Sequence, residues 1–399
     1  MKLSTICLAP LLVMLATASA AATRVSSTHE PSRSETLGEG VEHLGSFFEA
    51  LDALPQAAPG DHVRIAWWGD SAIVGDGYTG ELRRLLQKRY GDGGPGFTLV
   101  APHFDGYLRK GVRLKRHHWD VSSVLKGGRK DGRYGYGGVS ALSYGGAGST
   151  FITSEPRVER VLVYHRQGGR SGGLQLFIDE SPLPTFSLAK TRGVVSDSVW
   201  TVPLDKAARS VRLRAAGGGQ SLLYGVALER EKPGLVLDAL GLVGLRARRW
   251  RKADEEHLRT QVATRGVDLV VLAFGGNERV DPGLSVEGHQ GVIIDAIRRF
   301  RKGAPEASCL LMGPIAHAKG RSMRLDPRLD VIYEAQRHAA RSEGCAFFDT
   351  ISAMGGQEAV AEFKAKRLLG RDLAHLTPAG HKVVGGLIAD WLMGAHSAR

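Results

Sequence analysis

RIAWWGDSAIVGDGYTG, residues 64–80, sets an apolar run of β-forming residues directly against Gly-Asp-Ser and then a second glycine-rich turn. Side chains alternate along a strand, so Trp67 and Trp68 face opposite sides of the sheet and both fill core. The chain continues as TGELRRLLQKRYG, whose leucines fall on one helical face and whose Gly91 is a C-terminal stop. This is a strand, turn, helix unit with Ser71 at the turn.

The unit recurs in the second half. GLVLDALG (234–241), VDLVVLAFGG (267–276), SCLLMGP (308–314) and CAFFDT (345–350) read as strands, and VEGHQGVIIDAIRRFRKG and DVIYEAQRHAARSEG read as helices between them. Strands alternating with helices of this length predict a parallel sheet covered on both faces. Such sheets bind ligands at the carboxyl ends of their strands. Residues 101–233 break the rhythm, because VERVLVYHRQ, GGLQLFIDE, VWTVPLD, SVRLRAAG and SLLYGVALERE are short strand-like runs between Gly, Ser and Pro turns. They predict a β-sandwich or jelly roll. An α/β pattern stands on both sides, so this segment reads as an insertion that divides one α/β domain into 37–100 and 234–395.

The chain is 399 residues long, 43% hydrophobic and 24% charged, which suits a globular protein and excludes global disorder. Residues 1–20 carry Lys2, an apolar stretch from Ile6 to Leu15 and the small-residue pattern Ala18-Ser19-Ala20, and read as a secretory signal peptide cleaved near Ala20. The stretch is short for a bilayer span, although a retained anchor is the competing reading. No later segment has the length to cross a membrane. Residues 21–36 are polar and read as a disordered leader.

Loss of Lys2 with the signal takes the net charge from +12 to +11. A basic surface favours polyanions, and export makes an acidic wall polymer the expected partner. No nucleic-acid motif is present. The densest basic run, RARRWRK (246–252), precedes ADEEH and reads as a solvated helix face. Cys309 and Cys345 each open a strand; adjacent parallel strands would set them side by side for a disulfide, and two buried free thiols are the alternative.

A serine hydroxyl is a poor nucleophile until a histidine takes its proton, and the histidine works best when a carboxylate fixes its tautomer. GRDLAHLTPAGHKVVGGLIADWL supplies both as Asp372 and His375, three residues apart in the loop before a closing helix. Thr377 and Pro378 read as that helix's N-cap and first position. Acyl transfer also needs hydrogen-bond donors aimed at the developing oxyanion. Asn277 in FGGNE, Gly244 in GLVGL and the backbone N–H of Ser71 each follow a separate apolar strand, which the topology brings to one rim. His117 and His118 have no metal-ligand spacing around them, so no metal and no cofactor are expected. Asp70 is expected to pin the turn and His381 to be structural. Gly138, in YGYGGVSAL, competes with Gly244 but has no apolar strand feeding it.

Gly-Asp-Ser, a glycine turn, Gly-x-Asn and Asp-x-x-His, in that order, resemble the SGNH (GDSL-type) hydrolase superfamily. The resemblance covers residues 60–100 and 234–395 and implies a flavodoxin-like α/β/α sandwich. The stretch GDSAIVGDGYTGELRRLLQKRYGDGGPGF, the β-rich insert, LVLDALGLVGLRA, FGGNE and AHLTPAGH together resemble the bacterial peptidoglycan O-acetylesterases, which carry a carbohydrate-binding-module-like jelly roll at this point. That narrower resemblance implies removal of the C6 O-acetyl group of muramic acid in the periplasm. Ser71 is then the nucleophile, His375 the base and acid, Asp372 the orienter, and Gly244 with Asn277 the oxyanion hole. Ala72 departs from the pattern, since many relatives have histidine there. Three other activities fit less of the sequence: an O-acetyltransferase, a deacetylase of another polysaccharide such as xylan, and a non-catalytic wall-binding protein.

Overall fold

In the computed structural model, which describes residues 37–155, 157–191, 193–319 and 322–399, the central sheet has six strands. These are β1 (Gly38–Glu39), β2 (His62–Gly69), β3 (Gly234–Gly241), β4 (Leu269–Ala273), β5 (Ser308–Met312) and β6 (Ala346–Phe348), in spatial order β1-β6-β5-β4-β2-β3. The five from β2 to β6 are parallel, and β1 runs antiparallel to β6. Taken alone, the parallel strands have the flavodoxin-like order, second-first-third-fourth-fifth. The expected signal peptide and leader lie outside the described residues.

The parallel strands are apolar throughout because both faces are covered. Ile65 and Trp67 pack with α1 (Gly45–Ala53), α3 (Tyr78–Tyr90) and the closing helix. Ala66 and Trp68 pack on the other face with α4 (Glu255–Arg265), α5 (Val286–Arg301) and α6 (Arg328–Glu343). A four-residue helix α2 (Ser71–Val74) follows β2, α7 (Thr350–Ala353) and α8 (Ala359–Ala365) follow β6, and α9 (Pro378–Ser397) closes the chain. Cys309 and Cys345, at neighbouring strand starts, are joined by a disulfide. Among the described residues no helix is long and apolar enough to cross a membrane.

Between α3 and β3 the chain builds two six-stranded antiparallel sheets. Their shared core is made of residues such as Val161, Val163, Leu174, Leu176, Leu213 and Val226. The strand Gly96–Thr98 already pairs with the strand Ser221–Glu229, so sandwich pairing starts upstream of position 101. All nine residues of Ser221–Glu229 are buried, because its second face packs on the α/β unit. There Phe97, Tyr136, Tyr164 and Tyr224 share one core with Trp68, Leu240 and Phe300.

A buried ion cluster ties the same seam: Arg265 of α4 pairs with Glu229 at the end of the sandwich strand and, at 2.7 Å, with Asp238 of β3. The basic run 246–252 differs from its sequence reading. It forms a 3₁₀ helix, Ala247–Lys252, with Trp250 fully buried against Phe300. Only its cations are solvated, because the run sits under α5. Gly138 lies in the turn before the sandwich strand Val139–Ser143, where an added Cβ would meet Trp250.

Candidate active site

Strands β2, β3 and β4 end level, with Gly69 in register with Gly241 and Ala273. The chain turns that follow them therefore emerge together, at the point where strand order reverses. Gly69 permits this crowding, since a Cβ there would lie 2.7 Å from the Ala273 carbonyl oxygen. Asp70 caps α2, its Oδ1 accepting from Ala72 N at 3.0 Å. The strand end thus pins the turn that presents Ser71, as expected of Asp70.

The second half of the site arrives on the loop before α9. Leu373 takes a left-handed φ of 54°, and Gly370 N donates to the His375 carbonyl at 2.7 Å, folding the loop on itself. Asp372 Oδ1 accepts from the backbone N–H groups of Ala374 and His375, at 3.2 and 3.1 Å. Thr377 caps α9 by accepting from Gly380 N, and Pro378 is the first helical residue. On this frame Asp372 Oδ2 lies 2.6 Å from His375 Nδ1, and His375 Nε2 lies 3.0 Å from Ser71 Oγ. A carboxylate only accepts, so the neutral ring carries its proton on Nδ1 and Nε2 accepts from the serine hydroxyl. Burial pushes the Asp372 carboxyl up, but the hydrogen bonds from His375 and Ala374 outweigh it and hold the group below its ordinary value.

Around the serine, Asn277 follows β4 and donates its amide to Asp70 Oδ2 and to the Leu245 carbonyl, both at 3.1 Å. Both amide hydrogens are thus engaged, and an oxyanion would have to share one of them. The backbone N–H groups of Ser71 and Gly244 make no hydrogen bond among the described residues. Gly244 has a left-handed φ of 75° and lies beside Leu245, but it does not line the cavity at Ser71. The structure therefore brings Ser71, His375, Asp372 and Asn277 together, and Gly244 stands in the neighbouring loop after β3, next to the Leu245 carbonyl that Asn277 holds. His381 packs on Gly77 and Tyr78, and burial pulls its pKa down to about 4.

Three residues around the site were not singled out from the sequence. Glu278 is buried, and its two oxygens accept from Ala247 N at 2.8 Å and Gly275 N at 3.0 Å, joining the loops after β3 and β4. Burial raises its pKa to about 7, with the nearby Asp70 charge adding to the shift. Asp70 itself is pushed up to about 6 by burial, against its hydrogen bond from Ala72 and the nearby His375. Arg279 and His317 line the cavity, and Arg279 Nη1 pairs with Asp326 at 2.7 Å. Glu278 and Arg279 directly follow Asn277, which was the one available signal; burial and partners are tertiary facts. The cavity holds about 120 Å³ and is walled elsewhere by apolar groups, among them Met312, Pro314, Ile315 and Val384. Among the described residues no cluster of three or more histidine, cysteine or acidic side chains is arranged to hold a metal.

Residues 208–383 match the model of the GDSL-like Lipase/Acylhydrolase family. The span includes Gly244, Asn277, Asp372 and His375, and leaves Ser71 outside. Among solved structures, one described as "Peptidoglycan O-acetylesterase in action, 5 min" superposes with a TM-score of 0.75, at 23% identity, over 89% of this chain and 97% of that one. The lipase/acylhydrolase from Enterococcus faecalis is 18% identical over 41% of this chain and 77% of that one, with a TM-score of 0.31. A family two carbohydrate esterase from Clostridium thermocellum is 12% identical over 69% and 100%, with a TM-score of 0.29. Only the first superposes well enough to speak for the fold, which it shares almost end to end. No curated protein matches the chain significantly. Residues 208–383 thus match a GDSL-like lipase/acylhydrolase domain, and the chain has an α/β fold with additional β-sheets that it shares with the first of these structures.

Proposed function

From a chain that carries a GDSL-like hydrolase domain, we propose an exported serine esterase that removes O-acetyl groups from a polysaccharide, peptidoglycan before others. The observation that carries the reading is the contact chain from Ser71 Oγ through His375 to Asp372, at 3.0 and 2.6 Å. Ser71 Oγ attacks the acetyl carbonyl as His375 Nε2 takes its proton, and the imidazolium is supported by Asp372. Collapse of the tetrahedral intermediate expels the sugar oxygen, which takes that proton, and leaves acetyl-Ser71. Water then attacks with His375 as base, and acetate departs as the proton returns to Ser71. The N–H groups of Ser71 and Gly244 and the Asn277 amide are the donors proposed for the oxyanion.

Three features favour a polymer substrate bearing a small acyl group. The cavity is small and partly apolar, which fits an acetyl methyl. The His375 and Asp372 side chains are 52% and 54% exposed, so a bulky alcohol can reach the serine from solvent. The chain is basic, and wall polymers are acidic. Peptidoglycan is favoured over other polysaccharides by the motif blocks and by the name of the structure with the same fold. The test is acetate release from O-acetylated peptidoglycan and acetylated xylan by the mature protein and its Ser71→Ala variant. Loss of release in the variant, with peptidoglycan preferred, is expected. Equal activity in the variant would end the assignment of Ser71, and preference for xylan would move the reading to a plant-polysaccharide deacetylase.

A further inference from the structure

The two ring nitrogens of His317 are in different situations. The residue stands in the loop after β5, and Nδ1 lies 2.7 Å from the Ile315 carbonyl oxygen. A carbonyl only accepts, so the Nδ1 position bears the proton and Nε2 of the neutral ring is a bare acceptor. The one side-chain hydrogen bond of His317 among the described residues is that of Nδ1, and the residue lines the cavity that Ser71 and His375 also line. The residue is 8% exposed, and burial lowers its pKa to about 4, so the ring stays neutral in neutral solution.

Its position is held from three sides. The His317 carbonyl accepts from Asp326 N at 2.9 Å, and the next residue, Ala318, donates its N–H to Leu373 O at 2.9 Å, beside Asp372. The ring lies against Gly276, where an added Cβ would come 3.2 Å from Cε1. An acceptor is therefore fixed between the loop that carries the triad's Asp372 and His375 and the loop that carries Asn277.

An ester presents two ends to such a pocket. The methyl of an acetyl group suits Met312, Pro314, Ile315 and Val384, which offer it no hydrogen bond. The alcohol end of a sugar ester carries N–H and O–H donors and suits the polar lining. We propose that His317 Nε2 reads that end, accepting a hydrogen bond from an N–H or O–H of the sugar that bears the O-acetyl group. His317 is thereby a specificity-determining, substrate-binding residue, an inference that rests on the esterase reading above.

The test compares p-nitrophenyl acetate, whose alcohol end has no such donor, with soluble O-acetylated peptidoglycan fragments and acetylated xylan fragments. His317→Leu is expected to lose about tenfold more kcat/KM on the peptidoglycan fragments than on p-nitrophenyl acetate, mainly through KM. His317→Gln, whose amide oxygen reaches the same region, regains most of that ratio. A parallel loss on xylan fragments assigns the donor to a hydroxyl, and a loss confined to peptidoglycan assigns it to the acetamido N–H. An unchanged ratio in the leucine variant, or glutamine no better than leucine, overturns the proposal while leaving the esterase reading intact. A wild-type protein that releases no acetate from any of the three overturns both.

Discussion

Asp372 is half exposed, yet both of its oxygens are occupied, by three donors from Ala374 and His375. In the proposed triad its part is orientation of the imidazole, since a group so open to water adds little to stability. Asp372→Asn is expected to lower kcat a hundredfold or more with almost no change in melting temperature, because an amide cannot hold the proton on His375 Nδ1 as a carboxylate does. Steady-state kinetics beside thermal melting checks this. Asp372 and His375 were legible as a candidate pair because a three-residue spacing inside one short loop is a local fact. The occupied hydrogens of Asn277 were not legible, since their acceptors, Asp70 and the Leu245 carbonyl, come from two other loops.

The loops after β3 and β4 are joined by the Glu278 carboxyl group, which accepts from one backbone N–H on each. Glu278→Ala would leave two buried donors without partners and is expected to cost about 2–4 kcal/mol, by denaturant unfolding. It should also lower kcat by tenfold or more, since the loops carrying Gly244 and Asn277 lose their common anchor. At this scale the strands β2 to β6 were readable because burial on both faces demands unbroken apolar runs. Strand β1 was not, because Gly38 and Glu39 have no pattern of their own and pair only on the edge of β6. The 3₁₀ helix at 247–252 was misread as a solvated face for a similar reason: one buried tryptophan among four cations carries no period.

The sandwich and the α/β unit share a core, and Arg265 sits in the seam with a fully buried side chain between Glu229 and Asp238. Arg265→Ala is expected to destabilise the whole chain by about 3–5 kcal/mol, measured by urea unfolding, because buried Asp238 loses its ion-pair partner and buried Glu229 keeps only Arg64 and Arg160. Acid sensitivity is also a property of the whole molecule. Burial lowers the pKa of His62, His165, His289, His317 and His381 from 6.5 to about 4. With folded pKa values below the unfolded one, these rings stabilise the fold above pH 6.5, and the contribution is lost as pH falls towards 4, up to about 3 kcal/mol per ring. Asp70 and Glu278 are raised and run the other way, favouring the fold at low pH and less so as pH rises through 6 to 7. Five groups outnumber two, so the urea midpoint is expected to fall between pH 6.5 and 4. His165→Phe should flatten that fall, since neither nitrogen of this buried ring has a partner among the described residues. Periodicity, strand-end chemistry and the order of four short blocks determined the fold class and the candidates Ser71, Asn277, Asp372 and His375, because each of those signals is local in the chain. Only the tertiary structure decided that Asn277 is held by Asp70 and the Leu245 carbonyl, that Glu278 joins the loops after β3 and β4, that His317 lines the cavity at Ser71 and that the two antiparallel sheets share a core with the α/β unit, because burial and hydrogen-bond partners depend on segments remote in sequence.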